Sequence, residues 1–222
     1  MATLLEDNFD RADNASVVGS PQIGPAPVIQ TGTAGILTNR LSPGTIPLNI
    51  TYNLGTPNVE LSFLHANGGS AYVCVLLGYA SATDYYYVAY VSGAATQLIH
   101  NRIGGAVTLQ QSSVKFPLVG TSVLKAHHRD GIIRAYVDGV LVIRYVLDAP
   151  ITANLHGIRI STSPTGRIDN LLGVDAPTIS EPVLSGKAPL TGDIAVSNPP
   201  YTPPSFAYLG RDTKLQDIAE GA

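Results

Sequence analysis

Apolar and polar residues alternate with a period of two along most of the first 174 positions. A strand turns successive side chains to opposite faces, so this alternation predicts half-buried β-strands. The candidate strands are Leu4–Phe9, Gly35–Asn39, Ile46–Leu54, Asn58–His65, Ala71–Gly78, Asp84–Val91, Thr96–Arg102, Ser122–His128, Gly131–Val137, Val140–Leu147, Leu155–Ser161 and Arg167–Leu172. Turn residues separate them, at Asn67-Gly68-Gly69, Ser92-Gly93, Gly104-Gly105, Asp130-Gly131 and Asp138-Gly139. An Asp-Gly pair between two apolar runs marks a hairpin, because glycine takes the positive φ that the turn demands and Asp bonds to local backbone. The stretch RDGIIRAYVDGVLVIRY, residues 129–145, therefore reads as strand, turn, strand, turn, strand, with its acidic residues employed in turns. No window of about 12 residues free of Gly and Pro keeps a helical period. Short strands at this spacing predict an all-β antiparallel sandwich or barrel, nearly without helix. Within DYYYVAYV, Tyr85, Tyr87, Ala89 and Val91 share one face, and Tyr86, Val88 and Tyr90 share the other.

Composition sharpens the picture. Charged residues are 13% of the chain, about half the usual share. The net charge of -3 and the thin spread of 13 Lys and Arg argue against a nucleic-acid partner. The only cysteine, Cys74, excludes an internal disulfide. The opening MATLLEDNFDRAD lacks the basic start of a signal peptide. Apolar runs such as Val73–Leu77 are too short to span a membrane, so none is expected as a partner. Near Asp175 the pattern changes: residues 175–222 carry 7 prolines in 48 positions. Proline fixes φ and removes a donor, so this segment predicts an extended arm following a 1–174 domain. Tyr201, Phe206, Tyr208 and Leu209 are its candidate anchors, docking on its own domain or on a neighbouring subunit.

The opening LEDNFDRADNASVVGS resembles that of a laminin-G or concanavalin-like jelly-roll module, common in bacteriophage tail and other virion proteins. The match comprises Asp7, Phe9, Arg11, Ala12, Asp13, Val18-Gly19, Gly32-Thr33, Gly35-Ile36 and Asn39-Arg40-Leu41. It continues at Arg134–Val142 around Asp138-Gly139 and closes at Arg167–Leu172. The chain departs from the family where SPQIGPAPVIQ replaces a usual Trp. The resemblance implies an antiparallel jelly-roll β-sandwich over about residues 4–174, with first and last strands as neighbours. It also implies a virion structural protein made in a host cytoplasm. A minor tail or tail-tip role is favoured over capsid decoration, with other virion proteins as partners and a homo-oligomer, trimeric in the decoration case. Glycan binding at a host surface is the alternative.

No catalytic kit is visible, so no enzyme is expected. Glycan-cleaving jelly-rolls need two carboxylates about 5–9 Å apart. Here the glutamates are only Glu6, Glu60, Glu181 and Glu220, and none stands two or four positions from another carboxylate on a central strand. His127 and His128 are adjacent and so face opposite ways on a strand. Cys74 reads as a small buried hydrophobe. No cofactor or resident metal is expected; Asp7, Asp84, Asp138 and Asp169 are weak calcium candidates, short of the six to eight oxygens the ion takes. Tyrosine offers a flat apolar ring with a hydroxyl, suited to a glycan or a protein surface. Tyr85, Tyr86, Tyr87, Tyr90 and Tyr136, with Arg134 on a neighbouring strand, are therefore the contact candidates, alongside Tyr72 and Tyr79.

Overall fold

The computed structural model describes residues 1–14, 18–65, 72–91, 95–101, 107–115, 122–161 and 167–179. These belong to the first of two units, Met1–Ile179; Ser180–Ala222, with the arm anchors Tyr201, Phe206, Tyr208 and Leu209, lies outside the described residues. Among the described residues the regular elements are strands alone: β1 (Thr3–Asp7), β2 (Val28–Ile36), β3 (Leu41–Asn53), β4 (Val59–His65), β5 (Tyr72–Ser81), β6 (Asp84–Val91) and β7 (Ala95–Asn101). The second half adds β8 (Val107–Lys115), β9 (Val123–Arg129), β10 (Ile132–Val137), β11 (Val140–Val146), β12 (Leu155–Ile160) and β13 (Ile168–Asp175).

The strands pair antiparallel in the order β11-β10-β9-β4-β13-β3-β12-β5-β6-β7-β8, with β1 added to β13 and β2 to β3. Between β13 and β3 the ladder thins to one pair, Ile168 opposite Leu41. That seam divides the path into a half containing β1, β13, β4, β9, β10 and β11 and a half containing β2, β3, β12, β5, β6, β7 and β8. The halves face each other: the Tyr90 hydroxyl of β6 donates across the core to the Lys125 carbonyl of β9. The two ends of the path also meet, where the Tyr145 hydroxyl of β11 donates to Gln110 Oε1 of β8 at 2.9 Å. The result is the expected antiparallel jelly-roll sandwich, nearly closed into a barrel. β1 lies beside β13, so first and last strands are neighbours, as the resemblance implies.

Alternation translates directly into packing. In β4, Val59, Leu61, Phe63 and His65 are buried while Glu60, Ser62 and Leu64 are half-buried. Each large apolar side chain so buried contributes about 1.5–3 kcal/mol. Both Asp-Gly turns form, with Asp130 and Asp138 at φ 51° and 50°. Asp138 also accepts from the Val123 backbone N–H at 2.7 Å.

Two strands depart from the sequence reading. β8 is polar, VTLQQSSVK, and shows no apolar alternation to find. β2 contains Gly32 and Gly35, and only its end overlaps the expected Gly35–Asn39. Both extend the seven-stranded half at positions where little apolar surface is buried: Val28, Val107 and Leu109 are exposed. β12 sits between β3 and β5 with glycine at its closest approach. A Cβ on Gly157 would lie 1.9 Å from the Ile50 carbonyl oxygen.

Candidate functional site

On β6, Tyr86, Val88 and Tyr90 turn into the core, so Tyr85, Tyr87 and Ala89 turn outward from the seven-stranded half. Ladder register extends this outer face across the sheet. Cys74 of β5 stands between Ala89 of β6 and Arg159 of β12, and Arg159 stands opposite Asn49 of β3. In the next row, Leu76 stands between Tyr87 and Gly157. Tyr79 joins through a local irregularity. Gly78 takes φ 59° and the β5–β6 register shifts after Leu77, which turns Tyr79 to the same side as Tyr85. A bulge redirects side chains in this way.

The face is an aromatic ladder with a polar flank. Tyr79 stacks on Tyr85 at 5.1 Å and 23°, and Tyr85 meets Tyr87 at 5.8 Å and 41°. Tyr79 and Tyr85 are buried against each other with Leu76, whereas Tyr87 and Leu155 at the edge of this cluster are half-buried. Burial, with Tyr85 alongside, pushes the Tyr79 hydroxyl above its ordinary pKa, so it remains a neutral donor. Arg159 Nη1 donates to the Tyr85 hydroxyl at 2.9 Å and to Asn49 Oδ1 at 3.2 Å. Its guanidinium carbon lies 5.5 Å from the centre of the Tyr87 ring, a cation–π approach. Farther along β3, Gln30 Nε2 donates to Thr51 Oγ1 at 2.8 Å.

Four of the other expected contact residues do not join this face, and the Tyr72 side chain lies outside the described residues. Tyr90 is fully buried and Tyr86 packs on the core. Arg134 and Tyr136 lie on the outer face of the opposite half, where the Lys125 ammonium sits 4.7 Å over the Tyr136 ring and 3.3 Å from Glu60 Oε1. Arg159 and Asn49, absent from the sequence reading, take part instead. Alternation in LHGIRI does place Leu155, Gly157 and Arg159 together, but not beside Tyr85, because the β12–β5 pairing is long-range.

The aspartates are dispersed. Asp7 is fully buried and accepts from Arg11 Nη2 at 2.8 and 2.6 Å through its two oxygens, and from the Phe9 backbone N–H at 2.9 Å. Arg11 Nε in turn donates to the Val18 carbonyl at 2.7 Å. Asp169 lies 3.9 Å from Arg40, Asp138 serves its turn, and Asp84 begins β6 opposite Ser81. No group of three or more His, Cys, Asp or Glu suited to a metal occurs among the described residues.

The buried histidines have structural partners. His127 Nε2 meets the Pro177 carbonyl at 3.1 Å, and His128 Nδ1 meets the Pro57 carbonyl at 2.7 Å. His127 pairs with outward Glu60 and His128 with inward Val59, so the two face opposite ways. Burial lowers the pKa of both. The Cys74 thiol is fully buried and burial pushes its pKa up to about 12, which excludes a thiolate nucleophile at neutral pH.

No known protein-family profile matches the chain, and no curated protein sequence matches it. Solved structures do match in fold. A carbohydrate-binding module, CBM66 from Bacillus subtilis, is 12% identical with a TM-score of 0.55, covering 67% of this chain and 95% of that one. A structure concerned with endo-acting O-glycanases of human gut microbiota that initiate mucin breakdown is 11% identical with a TM-score of 0.55, covering 79% and 100%. A sialidase is 12% identical with a TM-score of 0.52, covering 78% of this chain and 18% of that one.

These neighbours overturn the bacteriophage reading. The expected minor tail or capsid-decoration role, the virion partners and oligomer, and the virion and host-cytoplasm location are all corrected: these similar structures carry the names of a carbohydrate-binding module, O-glycanases and a sialidase, and none is a virion protein. The physical reason lies in the motif that carried the reading. Asp7, Phe9 and Arg11 build a buried ion pair that closes the first strand, with Arg11 5.6 Å over the Phe9 ring, and Asp138-Gly139 builds a hairpin. Both stabilise a sandwich in any setting, and fold does not fix function.

Proposed function

We propose that this chain is a non-catalytic glycan-binding module whose site is the outer face of the seven-stranded half, centred on Tyr85, Tyr87 and Arg159. The observation carrying this reading is the half-buried Tyr87 ring, backed by the buried Tyr79–Tyr85 stack, with the half-buried Arg159 fixed beside it by Tyr85 and Asn49. The Tyr87 ring supplies flat apolar area for the C–H face of a sugar, and fixed polar groups orient its hydroxyls. The names of the similarly folded carbohydrate-binding module, O-glycanase and sialidase agree with a sugar ligand. The carboxylate inventory supports binding without cleavage. Among the described residues the glutamates are Glu6 on β1 and Glu60 on β4, both on strands of the opposite half, and the face itself carries no acid–base pair. A glycan array followed by calorimetry on the hits tests this. Tyr87→Ala should weaken binding about tenfold, the worth of one stacking ring, and no glycan should be hydrolysed. Unchanged affinity in Tyr87→Ala, or turnover of a hit, contradicts the proposal.

A further inference from the structure

Arg159 is a half-buried cation with neutral partners only. Asn49 Oδ1 and the Tyr85 hydroxyl both engage Nη1, and the Tyr87 ring lies alongside. The groups facing it from β3, β5 and β6 are Asn49, Cys74, Leu76, Tyr85 and Tyr87, with no carboxylate among them. Ion pairs among the described residues go from Arg11 to Asp7, Arg40 to Asp169, Lys125 to Glu60 and Arg129 to Asp130, while Arg159 has no carboxylate partner among them. Its Nε and Nη2 donate to no described atom. A guanidinium taken partly out of water without a counter-charge is costly unless a ligand supplies one. The free Nε–Nη2 edge is a planar fork that matches a carboxylate bidentately.

Resting on the glycan-binding reading above, we propose that the ligand is an acidic sugar, a uronic or sialic acid residue held by its carboxylate on the Nε–Nη2 edge of Arg159. The sugar ring lies over Tyr87, and the Tyr85 and Asn49 contacts hold the guanidinium at fixed orientation. Asn49 and Tyr85 are positioning residues in this arrangement: they touch Arg159, which touches the carboxylate.

The test uses ligand pairs that differ in charge: methyl glucuronide against methyl glucoside, and sialyllactose against lactose, titrated calorimetrically into the full chain. The acidic member of at least one pair should bind at least about tenfold more tightly, and the preference should shrink with added salt. Esterifying the glucuronide should remove its advantage, a measurement that needs no variant. Arg159→Gln, checked for native circular dichroism, should equalise the pair, and Arg159→Lys should recover only part of the preference because an ammonium lacks the fork. Tyr87→Ala should weaken both members equally. Equal binding of acidic and neutral members, each weakened by Tyr87→Ala, overturns the carboxylate assignment while leaving the glycan-binding reading standing. Acid preference that survives Arg159→Gln overturns it too. Failure of any sugar to bind, on the array or in these titrations, overturns both.

Discussion

Acidification should unlock this fold at His156. The side chain is fully buried, and its two nitrogens bridge the core wall and a loop. Nδ1 accepts from the Gly78 backbone N–H at 3.3 Å, and Nε2 must therefore carry the proton it donates to the Thr56 carbonyl at 3.0 Å. A second proton on Nδ1 would point at the Gly78 N–H, with no acceptor to receive it. Burial, opposed by the Thr56 bond and assisted by nearby His128, lowers the pKa from 6.5 to about 4. The unfolded chain thus holds more protons than the folded one between these values, and stability falls as the pH falls. The contribution is complete above pH 6.5, is lost progressively as pH falls toward 4, and is constant below that. At roughly 1.36 kcal/mol per unit, the loss is about 3 kcal/mol, a large part of a domain's net stability of about 5–15 kcal/mol.

His156→Gln isolates the effect, since a neutral amide cannot titrate. It should reduce stability by about 1–2 kcal/mol near pH 7, through poorer hydrogen bonding. Near pH 4 the order should reverse, with the variant more stable by a similar amount. The chain has no tryptophan, so urea unfolding is best followed by far-ultraviolet circular dichroism. His127, also lowered, titrates in both proteins and drops out of the difference, and His128 enters it only through its coupling to His156. Parallel stability–pH curves for the two proteins would refute the reasoning.

Three further expectations follow from the packing. Asp7→Ala removes the buried partner of Arg11 and should destabilise by about 3 kcal/mol in urea melts, whereas an effect below about 0.5 kcal/mol would deny the ion pair its role in closing β1. Gly157→Ala drives a Cβ into the Ile50 carbonyl and should lower the melting temperature by more than about 8 °C, whereas a change below about 2 °C would deny the close approach of β12 to β3. Cys74 should resist Ellman's reagent in the native protein and react fully in denaturant; rapid native labelling would contradict its burial.

The architecture was legible where one strand face meets the core. Alternation in the expected Asn58–His65 strand puts Val59, Leu61 and Phe63 on one face, and the glycines after Asp130 and Asp138 mark the turns. β8 was not legible because a polar edge strand buries too little to need a pattern. The parity of Tyr85 and Tyr87 against Tyr86 and Tyr90 was also legible, but not which pair faced inward. That depends on the Tyr90 hydroxyl reaching Lys125 on the facing sheet. Tyr79 breaks strict alternation through the positive φ of Gly78, and Arg159 reaches Tyr85 only through a β12–β5 pairing that no local pattern encodes. The Asp7–Arg11 motif was visible, but it encodes closure of a sandwich and says nothing of where that sandwich works.

A sugar bound on the Tyr85–Tyr87–Arg159 face should perturb that face alone. Chemical-shift mapping of the isotope-labelled protein, titrated with a glycan selected from the array, tests it most directly. Shifts are expected at Asn49, Tyr85, Tyr87 and Arg159, on β3, β6 and β12, with Arg134 and Tyr136 on the opposite half unmoved. Shifts confined to the Arg134–Tyr136 face, or none with any glycan, would contradict it.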